Sequence, residues 1–270
     1  MQTVSSADGT EIAYETHGQG PPLVLLHGGS ADRGSWKGVV QHLAETFTPV
    51  VPDRRGRGAS GDSEAYSLDR EIDDLVALCG TVEGAPVVVG HSFGGLVALA
   101  AVQDRPLAVD GLVLYEPAIL VGEHRGDDLA DRMAELLAAG DRRGAMRQFY
   151  EETGAVPNVA EAPWWPGDAP LDRAETVVRE NRAVEAFALP EDPAVDVPTL
   201  LLVGECGPAH LRDAVSALGD RLPDSRTVEL AGVGHLATHA APDRLAAAIR
   251  EFDGESDGWG PDTDTSVTPS

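Results

Sequence analysis

Along the chain, short runs that are apolar at every position alternate with longer stretches whose apolar residues recur every three or four positions. The continuous runs are Leu23-Val24-Leu25-Leu26, Val50-Val51, Val87-Val88-Val89, Leu112-Val113-Leu114 and Leu200-Leu201-Leu202-Val203, and Thr227 to Leu230 is a final short strand candidate. A strand apolar on both faces belongs inside a parallel sheet covered by helices. Ile12 and Tyr14 instead alternate with polar neighbours and lead into His17-Gly18-Gln19-Gly20-Pro21-Pro22, which predicts an exposed edge strand closed by a turn. Between the runs, Leu68 to Leu78 is the clearest helix: Leu68, Ile72, Leu75 and Val76 share a face, and Asp69, Glu71, Asp73 and Asp74 fall elsewhere. Gly95 to Val102 and Pro242 to Phe252 predict two more. Strands alternating with helices imply an α/β, doubly wound, mostly parallel sheet.

That alternation stops between about Ala118 and Val195. Helical patterns near Asp127 to Tyr150 and Leu171 to Phe187, joined by Val156-Pro157 and Pro163-Trp164-Trp165-Pro166, read as a helical cap inserted after the sixth strand. The expected organisation is therefore a core of residues 1–117 and 196–253 with a cap of residues 118–195, which suits the 270 residues of one domain carrying an insertion. From Gly254 onward, GESDGWGPDTDTSVTPS is acidic and aperiodic, so residues 254–270 read as a disordered tail.

Hydrophobic residues make up 42% and charged residues 24%, an ordinary globular balance. The charge is not ordinary: 45 acidic against 20 basic residues give a net charge of −25, and Lys37 is the only lysine. Such a surface repels nucleic acid and anionic membrane, so neither is an expected partner. Molar salt would screen the self-repulsion, which fits a halophile's protein; a GC-rich, non-halophilic bacterial source is the alternative. Cys79 and Cys206 form neither a disulfide framework nor a zinc-ligand spacing and read as buried small hydrophobes. The first residues lack a basic, apolar leader and no run reaches membrane-spanning length, so the cytoplasm is the expected location.

Three motifs follow the predicted strands. Gly90-His91-Ser92-Phe93-Gly94 lies between an apolar strand and an Ala/Leu-rich helix, which is G-x-S-x-G in its strand-turn-helix setting. Its glycines permit a tight turn that strains and exposes the serine. His27-Gly28-Gly29-Ser30 ends another strand, where a glycine-rich turn frees backbone N–H groups for a developing oxyanion. Gly232-Val233-Gly234-His235 puts an imidazole at the carboxyl end of the sheet, where a serine hydroxyl would find a base of matched pKa. His239 competes without a glycine frame, His91 neighbours the serine and can line the pocket, and His17, His42, His124 and His210 read as surface residues.

In this order the motifs resemble the α/β-hydrolase superfamily over roughly Gly9 to Phe252, and Asp53-Arg54-Arg55-Gly56-Arg57-Gly58-Ala59-Ser60 is similar to that family's D-x-R-G-x-G-x-S structural loop. The resemblance implies Ser92 as nucleophile, His235 as base, and the N–H groups of Gly29 and Phe93 as the oxyanion hole. One departure concerns the acid. The family usually has an aspartate three residues after the glycine that follows the strand corresponding to Leu200 to Val203, but Gly204-Glu205-Cys206-Gly207 offers glycine there. Glu116, directly after Leu112 to Leu114 and Tyr115, is the favoured acid, as in members that place it after the sixth strand; Glu205 is the alternative. The implied activity is hydrolysis of a small acyl substrate, foremost a carboxylic ester, through an acyl-enzyme and without metal or organic cofactor. A non-catalytic ligand receptor on the same fold, and an acyltransferase or perhydrolase, are the competing readings.

Overall fold

In the computed structural model, which describes residues 1–154, 156, 158–167 and 169–253, the apolar runs become strands of one eight-stranded sheet. The strands are β1 (Gln2–Ser5), β2 (Glu11–Thr16), β3 (Pro22–Leu26), β4 (Thr48–Pro52), β5 (Val87–His91), β6 (Gly111–Tyr115), β7 (Thr199–Gly204) and β8 (Ser225–Leu230). Their order across the sheet is β1-β2-β4-β3-β5-β6-β7-β8, antiparallel at the first two pairings and parallel from β4 onward.

Successive side chains of a strand point to opposite faces, and the core divides accordingly. Val24, Leu26, Val88, Leu112, Leu114 and Leu201 face one cluster. It includes α2 (Leu68–Cys79), α3 (Phe93–Asp104) and α7 (Ala209–Arg221). Leu23, Leu25, Val89, Val113, Leu200 and Leu202 face another, with α1 (Lys37–Leu43) and α9 (Pro242–Asp253). Parallel strands must be covered on both faces, which is why they are apolar throughout. Between β6 and β7 the chain forms α4 (Leu129–Ala138), α5 (Arg142–Glu152) and α6 (Ala174–Ala186), which share a third apolar cluster built on Met133, Met146, Tyr150 and Val177. A short helix, α8 (Ala237–Ala240), follows β8.

Several expectations need correction. The Ile12/Tyr14 strand is not an edge: β1 pairs with it on one side and β4 on the other, and Ile12, Ala13 and Tyr14 are buried. The pattern from Asp127 to Tyr150 is two helices, broken where Gly140 adopts a φ of 81° and Asp141 caps α5 by accepting from the Gly144 N–H. Cys79 is buried as expected, but Cys206 is exposed. The expected tail, residues 254–270, lies outside the described residues. No helix among the described residues is long and apolar enough to cross a membrane.

Candidate active site

Three loops at the carboxyl ends of parallel strands converge on one cavity of about 970 Å³, and its wall includes Gly29, Ser92, Phe93 and His235. Its far side is supplied by the helices between β6 and β7, with Phe149, Trp164 and Val184 among the lining groups. Arg173 ties the two sides together, donating from Nη1 to the Ser30 carbonyl at 2.7 Å and from Nη2 to Asp32 Oδ2 at 2.5 Å.

Ser92 sits between β5 and α3 with φ 53° and ψ −121°, a left-handed backbone that side chains other than glycine rarely adopt. Such a conformation costs about 1–3 kcal/mol and persists because the surroundings leave no other path. A methyl group built on Gly90 would lie 2.5 Å from the Gly94 carbonyl oxygen, and one on Gly94 would lie 2.5 Å from that of Leu26, so both positions exclude a side chain. The Ser92 N–H donates to the Tyr115 carbonyl at 3.1 Å, fixing the turn against β6. Phe93 opens α3, where the first N–H groups of a helix have no intrahelical acceptor and carry the positive end of its dipole.

Glu116 lies behind His235, fully buried, with φ 43°. Its Oε2 accepts from His235 Nδ1 at 2.6 Å, and its Oε1 accepts from the Gly204 N–H at 2.8 Å. A methyl group built on Gly207 would lie only 2.0 Å from Glu116 Oε1. Glycine at the family's usual acid position is therefore what leaves room for the carboxylate arriving from β6. Glu205 is exposed and accepts from the Gly232 N–H at 2.6 Å, so the geometry pairs His235 with Glu116 and not with Glu205.

Two buried donors hold the loop that carries His235. His91 donates from Nε2 to the His235 carbonyl at 2.9 Å, and the Tyr115 hydroxyl donates to the Gly234 carbonyl. His91 stacks on Tyr115 with ring centroids 5.3 Å apart, and burial holds its imidazole well below the ordinary histidine range, so it stays neutral. His27 is neutral for the same reason: its Nδ1 donates to the Gly28 carbonyl while its Nε2 accepts from the Arg54 N–H.

The D-x-R-G-x-G-x-S stretch does more than close a loop. Asp53 and Ser60 tie it to β2 and the loop after β3: Ser60 Oγ accepts from the Ala13 N–H at 2.8 Å, and Asp53 Oδ1 accepts from the Arg33 N–H at 3.0 Å. Arg54 and Arg57, both buried, reach Glu180 of α6, and Arg54 also bonds Glu71 at 3.0 Å. The Arg54 guanidinium lies over the Phe93 ring, 4.7 Å from its centroid. Sequence reasoning missed Glu180 altogether, although a glutamate sharing a helix face with Val177 and Val184 is a visible break in an apolar stripe. His124 and His210, expected on the surface, line the cavity, as does His239. Among the described residues no group of three or more His, Cys, Asp or Glu is arranged to hold a metal ion.

The sequence profile of the alpha/beta hydrolase family matches residues 23–248. Lipase LipV of Mycobacterium tuberculosis is 31% identical over 249 residues, covering 86% of this chain and 93% of that protein. The crystal structure of an alpha/beta hydrolase from Sphaerobacter thermophilus superposes with a TM-score of 0.82 at 35% identity, covering 93% of this chain and 100% of that one. A thermophilic esterase from Thermogutta terrifontis gives a TM-score of 0.75 at 27% identity over 95% and 99% of the two chains.

Proposed function

The chain belongs to the alpha/beta hydrolase family, and from that premise we propose that it is a serine hydrolase of small carboxylic esters working through an acyl-enzyme on Ser92. The observation that carries this reading is the buried 2.6 Å pair of Glu116 and His235 Nδ1 behind a cavity wall that also holds a strained Ser92 at the start of a helix. With Nδ1–H committed to the carboxylate, Nε2 keeps its lone pair on a residue that lines the cavity, as a base for the serine proton requires.

In this mechanism Ser92 Oγ attacks the ester carbonyl while Nε2 takes its proton. The Gly29 and Phe93 N–H groups hold the oxyanion, and Glu116 stabilises the imidazolium. His235 returns the proton to the leaving alcohol, and water then attacks the acyl-enzyme by the same steps in reverse. Residues 118–195 act as a cap: the Arg173 and Glu180 contacts to the core hold their helices over the cavity, limiting the length of the acyl or alcohol group admitted. A volume of about 970 Å³ suits a drug-sized or smaller ester. Relatives named as lipase and esterase favour esters over other acyl bonds.

The test is steady-state hydrolysis of p-nitrophenyl acetate and butyrate. Sustained turnover that disappears in Ser92→Ala supports the reading. Release of a single equivalent without further turnover would overturn it in favour of a ligand receptor.

A further inference from the structure

Glu180 is a charged residue on the buried stripe of α6, 1% exposed. Its Oε1 accepts from Arg54 Nη2 at 2.6 Å and from Arg57 Nη2 at 2.9 Å. Its Oε2 is buried and has no hydrogen-bond partner. Glu180 lines the cavity beside Gly29: a methyl group built on Gly29 would lie 3.3 Å from Oε2 and 3.5 Å from Phe149 Cζ. An unused acceptor therefore stands next to Gly29, the residue whose N–H the ester-hydrolase reading assigns to the oxyanion.

We propose that Glu180 Oε2 receives a hydroxyl carried by the substrate on the carbon next to the reacting carbonyl, making the site selective for 2-hydroxyacyl esters. The proposal rests on the ester-hydrolase reading for the direction in which the substrate lies. With the carbonyl oxygen at Gly29 N–H, the first substituent on the acyl side meets Oε2, and Phe149 Cζ stands beside the same position. A substrate without a donor there leaves a buried acceptor unpaired, and sites built to bond a hydroxyl discriminate strongly against analogues that lack it.

The donor is neutral because the local charge is already balanced. Arg54 and Arg57 face Glu71 and Glu180, and burial pushes the Glu71 carboxyl up to about 7, so the cluster carries no excess negative charge to attract an ammonium group. The two guanidinium groups on Oε1 also offset the repulsion that a lone carboxylate would exert on the oxyanion.

The experiment measures calorimetric binding to Ser92→Ala, which cannot turn the ligands over. The probes are each enantiomer of methyl mandelate, methyl 2-methoxy-2-phenylacetate, which only accepts, and methyl phenylacetate, which lacks the oxygen. One enantiomer of mandelate should bind about tenfold or more tightly than the other two esters, as expected for a hydrogen bond to a charged group. Equal binding of all the esters, or binding of none, overturns the proposal. In Ser92→Ala/Glu180→Gln, the amide oxygen stays on the arginines and the NH₂ turns to the cavity, where a hydroxyl and a methoxy oxygen accept equally, so mandelate should lose its advantage over the methoxy ester; a folded variant that still prefers mandelate to the methoxy ester about tenfold also overturns it. Should that variant not melt cooperatively, the order of the esters on Ser92→Ala decides alone. Failure of the ester-hydrolase reading is separable. A parent protein that turns over no ester while Ser92→Ala prefers mandelate sinks that reading only, and turnover without preference sinks this one only.

Discussion

Replacing Glu116 by glutamine removes one charge and one acceptor at almost constant volume. In the native site the two carboxylate oxygens serve two donors, His235 Nδ1 at 2.6 Å and Gly204 N–H at 2.8 Å. Glutamine can satisfy Gly204 only with its oxygen, which turns its NH₂ toward Nδ1. The imidazole must then carry its proton on Nε2 and has no lone pair for the serine proton. Together with the lost stabilisation of the imidazolium, this should lower kcat by about 10³–10⁴, roughly 4–5.5 kcal/mol of transition-state stabilisation, with KM nearly unchanged. Glu205→Gln alters an exposed side chain bonded to Gly232 and should stay within about twofold of the parent. p-Nitrophenyl butyrate hydrolysis is the assay, with thermal melts to show that both variants fold. A second arm uses the room at Gly207: in Glu116→Ala, adding Gly207→Asp brings a carboxylate into the volume where Glu116 Oε1 lay and should recover about tenfold or more of the lost rate. A Glu116→Gln variant retaining more than about a tenth of the parent kcat, or an equally crippled Glu205→Gln, would refute the reasoning.

Tyr115→Phe removes the hydroxyl that holds the Gly234 carbonyl and should cost about 1 kcal/mol in urea denaturation and about three- to tenfold in kcat; an unchanged kcat would show that the His235 loop needs no such anchor. Burial raises the Glu71 carboxyl from the ordinary 4.5 to about 7, so between those values the folded protein holds a proton that the unfolded chain has released, and stability should fall as pH rises through that window. Glu71→Gln should flatten that slope, as read from urea midpoints at pH 5 and 7.5; identical slopes would contradict it. If the −25 charge is a halophilic adaptation, the thermal midpoint should rise from dilute buffer to about 1 M chloride, where the Debye length is about 3 Å. A flat or falling midpoint would contradict that reading.

What was legible in the sequence follows from what is local. The continuous apolar runs mark a doubly covered sheet because each residue must meet a helix on one face or the other, and five of the eight strands were visible this way, with β2 marked by its alternation and β8 as a short candidate. β1 was not: three of its four residues are exposed, and its pairing with β2 leaves no periodic trace. α7 was overlooked although Leu211, Ala214, Val215 and Leu218 carry a helical spacing. G-x-S-x-G and the glycine-framed histidine could be placed because their chemistry needs a particular backbone next to a particular strand. The acid was harder, since Glu116 reaches His235 across 119 residues and depends on the missing side chain at Gly207, a fact no local window contains. Glu180 went unremarked, and His124 and His210 read as surface residues, because the segment between β6 and β7, which carries His124 and Glu180, and the start of α7, which carries His210, meet at the cavity only in three dimensions.

Labelling with a fluorophosphonate, followed by peptide mass mapping, tests the central claim most directly. The phosphonyl group should appear in stoichiometric amount on the peptide carrying Ser92, and Ser92→Ala should take up none under the same conditions. Equal labelling of that variant, or an adduct mapped to another residue, would contradict Ser92 as the nucleophile.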